Sequence, residues 1–341
     1  MRVTPPTSSP GPTSTARSSA APPSRPSSSP PSSRPRADPV RRLVAVVGPT
    51  AAGKSALALS LAQRFGGEII NADSRQVYRG MDIGTAKPSP ETRALLPHHL
   101  YDIADPADAY SLALYRRDAL ATLEDIWARG ELAWLVGGTG QYVWALLEAW
   151  QVPDVAPQPD LRAGLAALAD RDGPVALHTR LRAVDPEAAD RIDARNVRRV
   201  IRALEVYEVT GRPITTWQTK GVPDFDFRIL GVQCEEKELI WRINRRTEAM
   251  FASGLVKETQ ALLDAGVPPD ASALSSIGYA DALREIRGEI TRDKAIELTK
   301  RSTKRLARRQ RQWFRPQDQR ITWAGDVDGA SEALAEFLQP R

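Results

Sequence analysis

One short stretch limits the folds open to this chain. Leu43-Val44-Ala45-Val46-Val47 is an uninterrupted apolar run, and Gly48-Pro49-Thr50-Ala51-Ala52-Gly53-Lys54-Ser55 follows it directly. Such a run reads as a strand buried on both faces, the pattern of a parallel sheet. The next segment fits G-x-x-x-x-G-K-[ST], and Ser55 to Phe65 then continue as an Ala/Leu-rich helix ended by Gly66-Gly67. Strand, glycine loop and helix in that order form a phosphate cradle. Glycine lets the backbone wrap around the oxygens, and the N–H groups at the helix start point at the anion. Lysine neutralises charge, and the Ser hydroxyl can hold magnesium. Gly48, Pro49, Thr50, Ala51, Ala52, Gly53, Lys54 and Ser55 are therefore the candidate site for a di- or triphosphate, with Ser55 the candidate Mg2+ ligand.

Further strand candidates at 68–71, 132–136 and 227–232 alternate with helical segments at 111–129, where Ser111 is the N-cap, at about 236–264, near 279–287 and at 291–314. Alternation of this kind predicts an α/β fold with a P-loop NTPase-like core, a parallel sheet flanked by helices. Residues 160–210 lack strand patterning and follow a linker marked by Pro153, Pro157 and Pro159. The predicted organisation is a core of 41–148 and 224–330 interrupted by an all-helical insertion at 149–223. Residues 1–40 contain eleven Pro and eleven Ser, so they have little to bury and are predicted to be a disordered tail without a secretory signal.

Charge adds less than its total suggests. The tail's five Arg and one Asp account for +4 of the net +5, which leaves +1 for the remaining 301 residues. A case for nucleic acid must rest on local clusters. The single cysteine, Cys234, excludes a disulfide framework and a cysteine-rich zinc site and is expected to be a small buried residue in a strand. No apolar run reaches the length of a membrane helix. A cytoplasmic, reducing location is expected. His98 and His99 have only His178 as a further histidine, so structural or capping roles are expected rather than metal binding.

The chemistry at the phosphate cradle is open at this level. The strand 132–136 ends in Gly137-Gly138-Thr139-Gly140 and not in the aspartate that many P-loop nucleotidases use for magnesium. Asp73 lies just beyond the second strand, on the side where ligands bind in open α/β sheets. It can ligate magnesium, act as a general base, or cap a turn. Arg242 and Arg246 share a helix face, which reads as a solvated basic surface or as an anion contact. A small-molecule P-loop kinase, with Asp73 activating a hydroxyl, and a non-catalytic RNA-binding module fit these residues too.

A wider set of residues resembles the tRNA dimethylallyltransferase (tRNA isopentenyltransferase) family, in its bacterial form. The set is Gly48–Ser55, Asp73-Ser74-Arg75-Gln76-Val77-Tyr78, Met81-Asp82-Ile83-Gly84-Thr85-Ala86-Lys87-Pro88, Pro97-His98-His99-Leu100, Val136 to Tyr142, Arg202-Ala203-Leu204-Glu205, Ile277-Gly278-Tyr279, and Lys304-Arg305 through Trp313-Phe314. The resemblance spans about residues 41–315. It implies transfer of a dimethylallyl group from dimethylallyl diphosphate to the N6 amine of the adenine 3′ of the anticodon, with Mg2+ as cofactor, tRNA as partner, no membrane association and a monomeric state. It further implies Asp73 as general base and Lys54 and Arg246 on the diphosphate. It places Asp73, Ser74, Arg75, Gln76, Thr139, Arg162, Arg198, Arg199, Val200, Ile201, Arg202, Ile277, Gly278 and Tyr279 at the tRNA. Residues 300–315 hold eight Lys or Arg and no acid, which under the resemblance suits RNA phosphates. Ala280 departs from the family pattern, which often has a polar or basic residue there.

Overall fold

The computed structural model describes residues 41–339, except 218, together with Met1. The predicted disorder of 1–40 lies outside the described residues, Met1 aside. In chain order the elements are β1 (Arg42–Val47), α1 (Lys54–Phe65), β2 (Glu68–Asn71), α2 (Pro90–Ala94), β3 (His98–His99), α3 (Leu112–Ala128), β4 (Ala133–Gly137) and α4 (Gly140–Leu147). Then come α5 (Pro159–Asp172), α6 (Pro174–Val184), α7 (Pro186–Arg191), α8 (Val197–Thr210) and a 3₁₀ turn at Ile214–Trp217. The chain closes with β5 (Asp226–Val232), α9 (Glu236–Ala252), α10 (Leu255–Asp264), α11 (Tyr279–Ile286), α12 (Arg292–Trp313), β6 (Ile321–Ala324) and α13 (Val327–Leu338).

All six strands are parallel, in the order β3-β2-β4-β1-β5-β6. β1 is central because it is apolar on both faces, and strand period two divides its side chains between two cores. Leu43, Ala45 and Val47 pack with Tyr115, Leu123 and Trp127 of α3 and with α4. Val44 and Val46 pack with Leu57 and Leu61 of α1 and Leu334 of α13. Helices α5, α6, α7 and α8 bury a separate apolar cluster of their own, centred on Leu165, Leu177, Leu181, Val200 and Leu204.

Three expectations need correction. The helix expected over 236–264 is two helices, α9 and α10, because Gly254 adopts φ of 107° and ends the α-helical path after Ser253. The core runs past 330, through α13, whose Phe337 and Leu334 are buried. Cys234 lies beyond the end of β5 and is partly exposed, its thiol 3.6 Å from the Glu235 carbonyl.

Candidate active site

Because β1, β2 and β4 are parallel neighbours, the loops that follow them leave the sheet at one edge. These are the Gly48–Gly53 loop, the long segment after Asn71, and the Gly138-Thr139 turn. The first two of these, the Val136-Gly137 end of β4 and α9 line a cavity of about 370 Å3 whose wall includes Thr50, Lys54, Ser55, Asp73, Gln76, Thr85, Arg242 and Arg246. Sequence reasoning placed Lys54, Ser55, Asp73 and Arg246 at one chemistry, and the fold brings all four to one cavity.

The phosphate loop is held from several sides. Gly48 takes φ of 143°, where L side chains are strained, and packs against the backbone of Val232 in β5. The Lys54 ammonium donates to the Pro49 carbonyl at 2.9 Å. Arg246 reaches in from α9 and donates to the Thr50 hydroxyl at 2.5 Å. Arg242, one turn earlier, donates to the Ala52 carbonyl at 3.2 Å while its Nε is held by Glu238 at 2.7 Å. The two arginines thus face the loop rather than solvent alone.

Asp73 is fixed by a residue that the sequence reading passed over. Asn71 is fully buried at the end of β2. Its side-chain oxygen accepts the Asp73 N–H at 2.9 Å, and its amide nitrogen donates to the carbonyls of Asp73 at 3.1 Å and Leu100 at 3.0 Å. The available signal was a polar residue closing an apolar strand run, where it is disfavoured unless its groups are satisfied. Asp73 itself accepts the Arg75 N–H on Oδ1 at 2.9 Å. Its other carboxylate oxygen makes no hydrogen bond among the described residues. The turn-capping reading therefore holds for Oδ1, and Oδ2 is left free of that turn.

The charges are mutually dependent. Burial pulls the Lys54 ammonium down to about 8, with the Asp73 carboxylate opposing that shift and Arg246 adding to it. Burial also lowers Arg246, again opposed by Asp73. Two partly buried cations beside one carboxylate leave excess positive charge, which an anionic ligand relieves.

The segment after Asp73 is ordered by a carboxylate from another helix. Glu258 of α10 accepts N–H groups from Asp82 at 3.1 Å, Ile83 at 2.9 Å and Gly84 at 3.2 Å, and the Tyr279 hydroxyl at 2.5 Å. Lys87, its side chain buried, binds Asp82 at 2.5 Å and Asp102 at 2.6 Å. Gln76 donates to the carbonyls of Thr85 and Ala86, the cavity wall. On the β4 side, Thr139 accepts the Ser74 N–H at 3.0 Å and so ties the two loops together.

A larger groove of about 1250 Å3 lies between Tyr110–Ala113, Gln141 and Trp150 on one side and α5 and α8 on the other. Arg162, Arg198, Ile201 and Arg202 line it. Arg198 and Arg199 are exposed and form no ion pair among the described residues. Arg162 and Arg202 are different. Both turn to the buried Glu205, Arg162 through two bonds at 2.7 and 2.8 Å and Arg202 at 2.8 Å. Burial opposes ionisation of Glu205, yet these guanidinium groups and the Gln158 N–H hold its carboxyl at about 2. The side chains of Val200 and Tyr279, expected at tRNA, are fully buried and cannot touch RNA in this conformation. Ile277 is half-buried and Gly278 buried, while Arg75 donates to the Ser272 carbonyl at 3.1 Å. Along α12, Lys300 pairs with Glu248 and Arg311 approaches Glu236 at 4.0 Å. Arg301, Lys304, Arg305, Arg308 and Arg309 form no ion pair among the described residues.

Among the described residues no group of three His, Cys, Asp or Glu is placed to hold a metal, and no helix is long and apolar enough to cross a membrane. His98 Nδ1 donates to the Leu96 carbonyl at 2.8 Å, and His99 meets Glu68 at 2.6 Å, both as parts of edge strand β3.

The family model described as IPP transferase matches residues 76–317, and one described as isopentenyl transferase matches 41–95. A tRNA dimethylallyltransferase of Roseiflexus sp. (strain RS-1) is 48 % identical over 87 % of this chain and 97 % of its own length. The crystal structure of the full-length tRNA isopentenylpyrophosphate transferase from Bacillus halodurans is 39 % identical, with a TM-score of 0.63 over 87 % of this chain and 95 % of that one. A eukaryotic dimethylallyltransferase caught acting on tRNA is 25 % identical, with a TM-score of 0.70 over 87 % of this chain and 77 % of that one.

Proposed function

The chain belongs to the IPP transferase family of tRNA dimethylallyltransferases, and from that premise we propose that it moves a dimethylallyl group from dimethylallyl diphosphate to the N6 amine of the adenine 3′ of the anticodon in tRNA. The observation that carries this reading is that Asp73, Lys54 and Arg246 line one cavity at the phosphate loop.

The reaction needs two opposed groups. An adenine amine is a weak nucleophile, since its lone pair is delocalised into the ring. As the new N6–carbon bond forms, the allylic carbon–oxygen bond breaks, the electron pair leaves with diphosphate, and one N6 proton must go to a base. Asp73 takes that proton on the oxygen that no turn occupies. Lys54, Arg246 and the loop N–H groups stabilise negative charge as it grows on the leaving group. The Ser55 hydroxyl, with diphosphate oxygens, would suit Mg2+, which takes few protein ligands. When bound there, it would add Lewis-acid stabilisation of the leaving oxygens.

The adenine must leave the anticodon stack to reach Asp73, at a cost of about a few kcal/mol. The groove beside α8 supplies apolar surface and the unpaired Arg198 for this exchange, and the unpaired arginines of α12 supply phosphate contacts. Arg162 and Arg202, both held by Glu205, support the groove wall from within.

Nucleoside mass spectrometry of tRNA after incubation tests the proposal. A five-carbon addition to adenosine with diphosphate release supports it. ADP formation without RNA modification refutes it in favour of a small-molecule kinase.

A further inference from the structure

The charged groups of the cavity leave one buried amide without a role. Gln310 sits on the inward face of α12 and is 5 % exposed. Its Oε1 accepts the Thr50 N–H at 2.7 Å, and its Nε2 donates to the Gly138 carbonyl at 3.0 Å. A backbone N–H of a phosphate loop ordinarily faces the anion. Here the Thr50 N–H faces a helix side chain instead. Thr50 is therefore pinned twice, by α12 through its backbone and by Arg246 through its hydroxyl.

The other arm reaches the second loop. Gly138 precedes Thr139, whose N–H binds the Ala72 carbonyl and whose hydroxyl accepts the Ser74 N–H. A Cβ at Gly138 would lie 2.3 Å from Gln310 Nε2, so glycine is required for the approach. The same end of α12 seals this turn, because the Trp313 backbone carbonyl accepts from Trp144 Nε1 at 3.3 Å. A satisfied amide that merely fastened a helix would reach the scaffold. This one joins the phosphate loop to the turn that, in the reaction proposed above, lies beside the acceptor base.

We propose that Gln310 is a positioning residue that locks the phosphate loop to the Gly138-Thr139 turn and so sets the separation between leaving group and attacking amine. Its effect on rate rests on the transfer reaction proposed above, whereas its effect on loop order does not. A shift of about 1 Å in such a separation can cost about 100-fold in rate.

Gln310→Met fills the space and removes both hydrogen bonds; Gln310→Glu keeps an acceptor for Thr50 and removes the amide donor. Two readouts on the full chain separate positioning from simple support. Residue-resolved amide exchange of the ligand-free protein should show Thr50 exchanging at least about tenfold faster in Gln310→Met, with β1 and α1 unchanged, and near wild-type protection of Thr50 in Gln310→Glu. Single-turnover rates on tRNA should fall about 10- to 100-fold in both variants, with donor and tRNA affinities within about threefold of wild type. Unchanged Thr50 exchange in folded Gln310→Met overturns the proposal, as do wild-type rates per folded molecule. If the wild-type protein transfers nothing, the proposed reaction fails, and the exchange measurement still decides whether Gln310 locks the loops.

Discussion

Raising the pH should loosen the prenyl donor through one lysine. Lys54 titrates at about 8 in the free protein because burial disfavours its charged form. A bound diphosphate stabilises the ammonium, so the lysine pKa rises in the complex and binding above pH 8 is coupled to proton uptake. The sign follows directly. Well below 8 the lysine is already charged, and affinity does not depend on this group. Above 8 each further pH unit makes the neutral form tenfold more dominant, and the dissociation constant climbs in proportion until the pKa of the complex is reached. Between pH 7 and 9 the expected loss is roughly tenfold, or about 1.4 kcal/mol. Isothermal titration of dimethylallyl diphosphate in buffers of different ionisation enthalpy reads the protons directly. About half a proton should enter per donor at pH 8, and nearly one at pH 9. Lys54→Met should bind more weakly and lose the slope. A flat affinity from pH 7.5 to 9.5 with no proton uptake would refute the reasoning, since it would mean that the ammonium does not meet the diphosphate.

Other perturbations separate chemistry from scaffold. Asp73→Asn should lower the single-turnover rate by about 100-fold or more while sparing tRNA and donor affinity; a near-normal rate removes Asp73 as the base. Glu205→Gln should destabilise the protein by about 1–3 kcal/mol at neutral pH. The depressed carboxyl of Glu205 contributes stability that is present above about 4.5 and lost as pH falls toward 2, and acid melts of the variant should lack that component. Glu258→Ala should leave three loop N–H groups unsatisfied and raise the donor KM, visible in steady-state kinetics alongside a lower melting temperature. Charge reversal at Arg305 or Arg308 should weaken tRNA binding and reduce the slope of log affinity against log salt by about one per residue, with donor affinity unaffected.

What could be read beforehand divides by the range of the interaction. The phosphate loop was legible because its ligands are backbone groups and neighbours in the chain, and β1, β2, β4 and β5 were legible because burial on both faces leaves apolar runs. β6 went unread because an edge strand of four residues alternates too briefly, and β3 because two residues make no pattern. The position of Asp73 followed from strand order, but its isolation of one oxygen depended on Asn71 and the Arg75 turn. Arg162 and Arg202 looked like free cations, since the family motif hides their counter-charge within it. The i,i+3 spacing of Arg202 and Glu205 was the one local hint. Glu258 and Gln310 act on loops more than a hundred residues away in sequence, where only the folded chain reveals the contact.

The central claim places one carboxylate opposite a diphosphate cradle, with an adenine amine between them. The most direct measurement is a crystal structure of the protein with an anticodon stem-loop and a sulfur-bridged, unreactive analogue of dimethylallyl diphosphate. The analogue's phosphates should lie on the Gly48–Ser55 loop within reach of Lys54 and Arg246, and the flipped adenine N6 should be within about 3.2 Å of Asp73. An analogue bound away from that loop, or an adenine amine beyond hydrogen-bond reach of Asp73, would contradict it.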